Sequence, residues 1–423
     1  AYEDGWAVVT DDGTNSHLNY LTADPNTGEY LLIEDALYAA TGKTLPSGIT
    51  SIQYHMYNTF PQVFAIALAG PGKESSIEVK YNDMQILGTF ANEFVDDNGV
   101  EFKSVVPMEE FVAACAPNGD FYLREEAGSS FSRVPHASFF PSRPVVIDGG
   151  LKVNHIASYS SVGNDMAGTS NIFAHDDLNG RSLMLSKTSV RVIDEDFYND
   201  GIFEAHRGGK GYDGKNSYED ITFPDPWAMG DYNVLAMGGC GADMDFMADS
   251  KIFSIVYFLE KKSDGKKYIF AYDYSDGGWF GSPGIDLDFF FPLPSDITID
   301  AASMSTCCMV GGGNNIMLFS ANGNKDIYAF NALTGSLRKI YTAASPVTGL
   351  VLGKIGDMMA SFGGTPTFYD ERLVVGTEDG TILVIELNDS ALAGGKAEVI
   401  QQFKSTTGKM TRGVFNPAQS MIS

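Results

Sequence analysis

The stretch Arg372-Leu-Val-Val-Gly-Thr-Glu-Asp-Gly-Thr-Ile-Leu-Val-Ile-Glu-Leu387 decides the fold. Two runs rich in β-branched residues flank Asp379-Gly380. A type I′ turn needs φ > 0 at both central residues, and Asp-Gly meets that need, so the stretch reads as a β-hairpin. The same grammar recurs at Ile316–Ser320, Asn322-Gly323 and Asp326–Asn331, and again at Val256–Lys262, Asp264-Gly265 and Lys267–Tyr274. Further β-type runs are Trp6–Thr10, Tyr30–Glu34 and Val63–Ala69. Helix signals are scarce. The strongest, Met108–Ala116, starts near Glu109 and Glu110 and stops at Pro117, but its Val112–Cys115 reads equally as a strand.

Working outward, the turn glycines fall at 201, 265, 323 and 380, in steps of 64, 58 and 57. A regular step of this size marks a repeated supersecondary unit. A four-stranded sheet with its loops fits one such step, and a unit of about 58 residues fits the chain about seven times. The expected fold is therefore all-β: a β-propeller of about seven four-stranded blades, with six or eight as alternatives. A β-sandwich or β-solenoid is the competing architecture. Asp148-Gly149 and Asn118-Gly119 both compete to be the next mark toward the N-terminus. Stacking the sheets buries faces that one sheet alone leaves open, and closure usually draws one blade from both chain ends. The strand near Trp6–Thr10 is thus expected to join C-terminal strands. The whole chain, 1–423, reads as one propeller domain with a long loop or insertion at 194–232.

Composition sets the function classes. The chain carries 28 Lys+Arg against 54 Asp+Glu, a net charge of −26, and 44% of its residues are hydrophobic. That apolar content excludes disorder. The acidic excess argues against nucleic-acid partners and against anionic membrane surfaces. Apolar runs such as Val63–Ala69 fall far short of the roughly 20 residues that span a bilayer, so no transmembrane segment is expected. Four cysteines are too few for a disulfide scaffold, and none forms a C-x-x-C pair. They read as small buried hydrophobes.

Catalytic signatures do not emerge. The six histidines form no His-Glu-x-x-His, and no Gly-x-Ser-x-Gly is present. His175-Asp176-Asp177 is the most polar cluster. Gly311-Gly312-Gly313-Asn314-Asn315 lacks the Lys-Ser/Thr ending of a phosphate loop. Asp243 and Asp245 alternate on one strand face and are weak candidates for a structural calcium, the one cofactor considered. Asp11-Asp12-Gly13 and Asp96-Asp97-Asn98-Gly99 lack calcium-loop spacing and read as Asx turns. The candidate ligand-binding residues are aromatics in glycine-rich segments: Tyr212, Tyr218 and Trp227 in Asp194–Tyr232, and Trp279 and Phe280 in the loop-like Asp273–Asp286. Flat rings suit sugar stacking or peptide anchoring. The competing reading places them in seams between blades.

A resemblance adds to this. Asp4-Gly-Trp-Ala-Val-Val-Thr-Asp-Asp-Gly, then Ser16-His-Leu-Asn-Tyr-Leu, Leu37-Tyr and Thr41-Gly-Lys-Thr-Leu-Pro-Ser-Gly48 resemble the opening of the propeller region in PKD-like family lipoproteins of Gram-negative gut bacteria. Phe330-Asn-Ala-Leu-Thr-Gly335 and Gly376-Thr-Glu-Asp-Gly-Thr resemble blade ends in general. The family's PKD-like repeats and lipobox cysteine have no counterpart in the sequence, which fits an excised propeller domain. The resemblance implies secretion, attachment at the outer membrane or cell surface, and an outer-membrane complex for glycan or peptide uptake. It carries over no catalytic residues. The expected function is a non-catalytic binding or interaction module; the alternative is a propeller-type hydrolase or lyase acting on a glycan.

Overall fold

The structure is a computed structural model that describes residues 5–24, 27–57, 63–96, 99–108, 110–128, 132, 134–157, 172–186, 189–194, 224–245, 250–275, 284–299, 308–310, 316–331, 336–355 and 370–416. Among these residues the strands fall into seven small antiparallel sheets, which are the blades of a seven-bladed β-propeller; in all but the first the strands pair in sequence order.

Blade 1 joins the two ends of the chain: Lys409–Asn416, Gly5–Asp11, Asn15–Ala23 and Tyr30–Ile33, in that order. Trp6 lies opposite Phe415 and Val8 opposite Gly413, so the expected sharing of a blade by both termini is what the ladder shows. Blade 2 holds Ser51–Tyr57, Val63–Ala69, Ile77–Lys80 and Ile86–Thr89. Blade 3 pairs three strands, Ser104–Pro107, Phe111–Cys115 and Phe121–Glu125. Beyond them the chain leaves the sheet, bridging Ala127 to Val134 and Phe140 to Phe94. Blade 4 holds Val153–Ala157, Ile172–Asp176, Arg181–Ser186 and Ser189–Val192. Blade 5 is the longest, with Tyr232–Asp245, Ser250–Lys261, Lys267–Ser275 and Gly284–Pro292. Blade 6 holds Cys308–Val310, Ile316–Ala321, Asp326–Asn331 and Ser336–Thr342. Blade 7 holds Val347–Ile355, Asp370–Thr377, Thr381–Glu386 and Glu398–Lys404.

By compactness the chain divides into two units. One is Ala1–Val145 with Val162–Ser170 and Ala343–Ser423; the other is Val146–Ser161 with Asn171–Thr342. The first carries blades 7, 1, 2 and 3, and the second carries blades 4, 5 and 6. In the first, separate apolar clusters fill the seams of blades 7 and 1, 1 and 2, and 2 and 3. In the second, they fill the seams of blades 4 and 5 and of 5 and 6.

The turn between the second and third strand of a blade is the repeated mark. It carries Gly13, Gly119, Gly180, Gly265, Gly323 and Gly380, all at positive φ. Asn118-Gly119 is therefore the blade 3 mark, whereas Asp148-Gly149 lies between blades 3 and 4. In blade 4 the mark is Asn179-Gly180, and Asp200-Gly201 lies outside the described residues. The segment Met108–Ala116 resolves as a strand, Phe111–Cys115, because every one of its side chains is buried and an amphipathic helix would expose one face. Asp273–Asp286 is not one loop: Asp273 and Asp286 are paired strand residues of blade 5. Alternation simply continues through both ends of that segment, and its middle, 276–283, lies outside the described residues.

The seam between blades 7 and 1 shows how the closure is packed. Trp6 is fully buried there with Phe415 at 4.9 Å and Tyr30 at 6.0 Å between ring centroids. Gly353 makes the room, since a Cβ on it would stand 2.4 Å from the indole. Truncating a fully buried Trp leaves a cavity and removes its apolar transfer energy. Trp6→Ala is expected to lower stability by about 3–5 kcal/mol, read as an earlier midpoint in urea unfolding with the change in m checked against the parent.

Candidate functional site

Two polar constellations stand out, and they are built for different ends. The first lies in the seam of blades 2 and 3. His136 adopts a left-handed backbone, φ 58°. Its ring seats directly over Gly88, where a Cβ would stand 2.2 Å from Nδ1. Nδ1 lies 2.7 Å from Glu93 Oε1 and Nε2 lies 2.8 Å from Glu78 Oε2. A ring with carboxylates on both nitrogens satisfies both only as the imidazolium, which donates twice. Glu78 also accepts from the Tyr57 hydroxyl at 2.8 Å. Arg124 pairs with Glu93 and Glu126, and its guanidinium sits 5.4 Å and 5.0 Å from the rings of Phe90 and Phe140.

Burial pulls the His136 pKa down, but the hydrogen bonds and charges of Glu78 and Glu93 outweigh it and raise it to about 9. Burial likewise pushes Glu78 up, and His136 overrides it, so the Glu78 carboxyl lies below its usual range. Burial raises the Glu126 carboxyl; Arg124 opposes this in part, and the Glu78 charge adds to it. The cluster is largely buried and ties the loop after blade 3 to blade 2. Its chemistry is that of a clamp.

A second buried group, in the seam of blades 4 and 5, behaves alike. Ser182 Oγ and Tyr257 Oη are 2.8 Å apart, and His175 packs edge-on against Tyr257. Burial holds the His175 imidazole down at about 4, so it stays neutral. Asp176, beside it, spends its oxygens on Lys152 N–H, Leu178 N–H, Asn179 and Arg181. Among the described residues no group of three or more His, Cys, Asp or Glu is arranged to hold a metal ion.

The second constellation is open. A groove of about 1030 Å³ lies at the turn end of blade 5. Its aromatic wall is the half-buried Tyr232 and Tyr268, backed by Phe290, which belongs to the buried core of blades 4 and 5. Tyr268 stands opposite Pro292 across the ladder, which makes Phe290 its diagonal neighbour. The two rings stack at 4.4 Å and 13°, and Tyr232 meets both edge-on at 6.2 Å and 6.1 Å. Three backbone segments frame it. The hairpin Lys261–Lys267 closes with Gly265 N–H on Lys261 O and Lys261 N–H on Lys266 O, both 2.8 Å. Segment 224–231 is pinned on one side to the blade 4 turn, through Met229 N–H on Gly180 O, 2.7 Å. On the other side Lys262 N–H bonds Asp231 O, 2.9 Å. Gly180 permits that close approach, because a Cβ would stand 2.7 Å from Gly230. Segment 292–299 is held to the blade 6 turn by Thr298 N–H on Asn322 Oδ1 and Asn322 N–H on Thr298 O, each 2.8 Å. The groove is thus preformed by main-chain bonds.

Its charged lining is mixed. Lys261, Lys266 and Lys267 stand on the hairpin, with Asp264 at its tip, and Asp225 and Asp231 lie on the facing segment. Lys267 pairs with Glu260 at 3.1 Å, and Lys266 lies 3.7 Å from Asp264. Burial, then the neighbouring Tyr268, Asp231 and Asp264, raises the Tyr232 phenol.

Of the aromatics singled out in the sequence, Tyr212, Tyr218, Trp279 and Phe280 lie outside the described residues. Trp227 is half-buried and packs on the apolar core of blades 4 and 5, beside the groove on segment 224–231. Asp243 and Asp245 stand opposite Ile252 and Ser250 in blade 5, and their side chains lie outside the described residues. Asp11 and Asp12 aim oxygens at the N–H groups of Gly13, Gly48, Thr14 and Asn15, as Asx turns do. The residues that line the groove were not singled out. Tyr232, Tyr268 and Phe290 sit inside strand-type runs and read as core; the four lysines flanking Asp264-Gly265 were the available signal.

No family model matches the chain, and no curated protein matches it. Solved structures do. The BBS1N chain of a complex with ARL6DN is similar over 85% of this chain and 83% of its own, with 11% identity and a TM-score of 0.42. Apo AztD from Citrobacter koseri is similar over 98% of both chains, with 8% identity and a TM-score of 0.39. The computationally designed Ika8 protein covers 86% and 89%, with 13% identity and a TM-score of 0.35. The fold rests on the strand pairing itself. Among the described residues no helix is long and apolar enough to cross a membrane.

The His136 clamp makes a pH prediction. Its folded pKa of about 9 lies above the ordinary 6.5, so the clamp stabilises fully below about pH 6.5 and is lost as pH rises through 9. The expected loss across that window is about 3 kcal/mol, seen as a falling melting temperature. His136→Gln is expected to start lower and to flatten the curve there.

Proposed function

We propose that this β-propeller is a binding module that takes a glycan in the blade 5 groove. The observation that carries the reading is the pair of half-buried tyrosines, Tyr268 and Tyr232, set edge-on to each other and backed by the buried Phe290, in a groove that also presents lysines, aspartates and main chain. Sugars present apolar C–H faces to rings and hydroxyls to charged donors and acceptors, so a mixed lining of this kind suits them. A peptide would ask for deeper apolar pockets to seat its side chains. The three pinned walls support a site that needs little ordering on binding.

The resemblance of Asp4–Gly48 to PKD-like lipoproteins supports a place at the outer membrane of a Gram-negative cell, beside uptake machinery. Membrane fractionation of the native host checks that placement: recovery in the cytoplasmic fraction counts against it.

The groove is tested by affinity electrophoresis against neutral and acidic polysaccharides, with a random peptide pool in parallel. Retardation by at least one polysaccharide is expected. Tyr232→Ala and Tyr268→Ala are each expected to weaken it about tenfold, as for the loss of one ring contact. Binding of peptides alone, or binding indifferent to both substitutions in variants that melt cooperatively, sinks the reading.

A further inference from the structure

The geometry points to an acidic glycan: we infer that the hairpin wall of the blade 5 groove binds the carboxylate of a uronic acid residue, with Lys261 as its counter-charge. This rests on the reading of the groove as a glycan site and names the class of glycan.

The starting point is charge placement. The chain has 54 acidic residues against 28 basic ones, yet Lys261, Lys262, Lys266 and Lys267 crowd around one turn. Three of these ammonium groups are occupied. Lys262 Nζ donates to Gly230 O at 2.6 Å, Lys267 pairs with Glu260 at 3.1 Å, and Lys266 lies 3.7 Å from Asp264. Lys261 differs: it is half-buried, lines the groove, and among the described residues has no acceptor or ion-pair partner. Partly dehydrating an ammonium without an acceptor costs free energy, and a ligand carboxylate removes that cost.

The register supplies the rest. Tyr232 stands directly opposite Lys261 in the first two strands of blade 5. Directly opposed residues have Cβ atoms about 5 Å apart and share a face of the sheet. A sugar lying against Tyr232 therefore meets a face of the sheet that also carries Lys261. Asp225 and Asp231 face the hairpin from segment 224–231. They accept from hydroxyls. The ligand that fits carries carboxylates among hydroxyls.

The test is calorimetric titration of the full chain with an oligogalacturonide. Its carboxyl-reduced form, an oligogalactan, and free acetate serve as the comparison ligands. The expected result is binding of the oligogalacturonide that weakens with salt, about tenfold weaker binding of the reduced chain, and none of acetate. Lys261→Gln is expected to lower affinity for the oligogalacturonide about tenfold and to leave the reduced chain unaffected, while Lys261→Arg retains most of the affinity. Equal binding of both oligosaccharides, or a Lys261→Gln variant that binds like the parent, overturns the acidic-glycan inference and leaves the glycan reading standing. If no member of the acidic and neutral panel binds, both fall. Acetate binding as tightly as the oligosaccharide reduces the site to a bare carboxylate site and overturns the inference.

Discussion

The ladder between Gly5–Asp11 and Lys409–Asn416 is the constraint on which the first unit depends. It joins segments such as Thr10 and Thr407, which are 397 positions apart and hydrogen-bond at 2.7 Å. Closing a loop of that length carries a length-dependent entropy of about 5 kcal/mol. Burial of Trp6 against Gly353 and Phe415 opposes it, as does a side-chain network at the same edge. Asn19 donates to Thr10, Gln401 bonds both the N–H and the C=O of Tyr30, and Glu34 accepts from Ser405 and Thr406. That network draws on blades 7 and 1 alike. The first strand pairs with Asn15–Ala23 on one side and with the last strand on the other, so blade 1 is complete only when both chain ends are present.

Given such a framework, the turns become the variable part. Most of their acids are engaged by their own backbone. Asp12 accepts from Thr14 and Asn15, Asp264 from Lys266, and Asp379 from Thr381. The Asn15 and Thr14 N–H groups hold Asp12 at about 2, and the Thr377 hydroxyl together with the Thr381 N–H holds Asp379 at about 2, so both stay ionised. Part of the net charge of −26 is therefore turn chemistry. The blade 5 turn departs from this pattern by flanking its Asp-Gly with lysines, and it is the turn that borders the groove.

Legibility followed the range of the interaction. A hairpin is set by two adjacent residues and its flanks, so the turns at Gly265, Gly323 and Gly380 could be read directly, and with them the repeat. The Gly180 turn escaped because the spacing pointed to Asp200-Gly201, while the chain between blades 4 and 5 is longer than one step. Phe111–Cys115 was ambiguous because a strand buried on both faces shows no alternation. The termini were legible as partners because closure demands a shared blade. The site was not, because a groove depends on which strand ends meet. Tyr232, Tyr268 and Phe290 are far apart in sequence, and each alone is an ordinary strand aromatic. His136 was hidden for the same reason: its partners Glu78 and Glu93 come from the neighbouring blade and its connection.

Sorting the charges by their surroundings separates the two kinds of site. Inside the seams, His136 is matched at short range by two glutamates, Arg124 by two, and Asp176 by Arg181 and backbone N–H groups. A buried charge without such company would be costly enough to unfold or neutralise it. At the fully wet turns, mismatch costs little and says little. The informative place lies between, where a side chain is dry enough for its partner to matter and open enough for that partner to come from outside. Lys261 occupies that place, across the ladder from Tyr232 in a groove that three main-chain segments frame, and this coincidence directs the functional reading to blade 5.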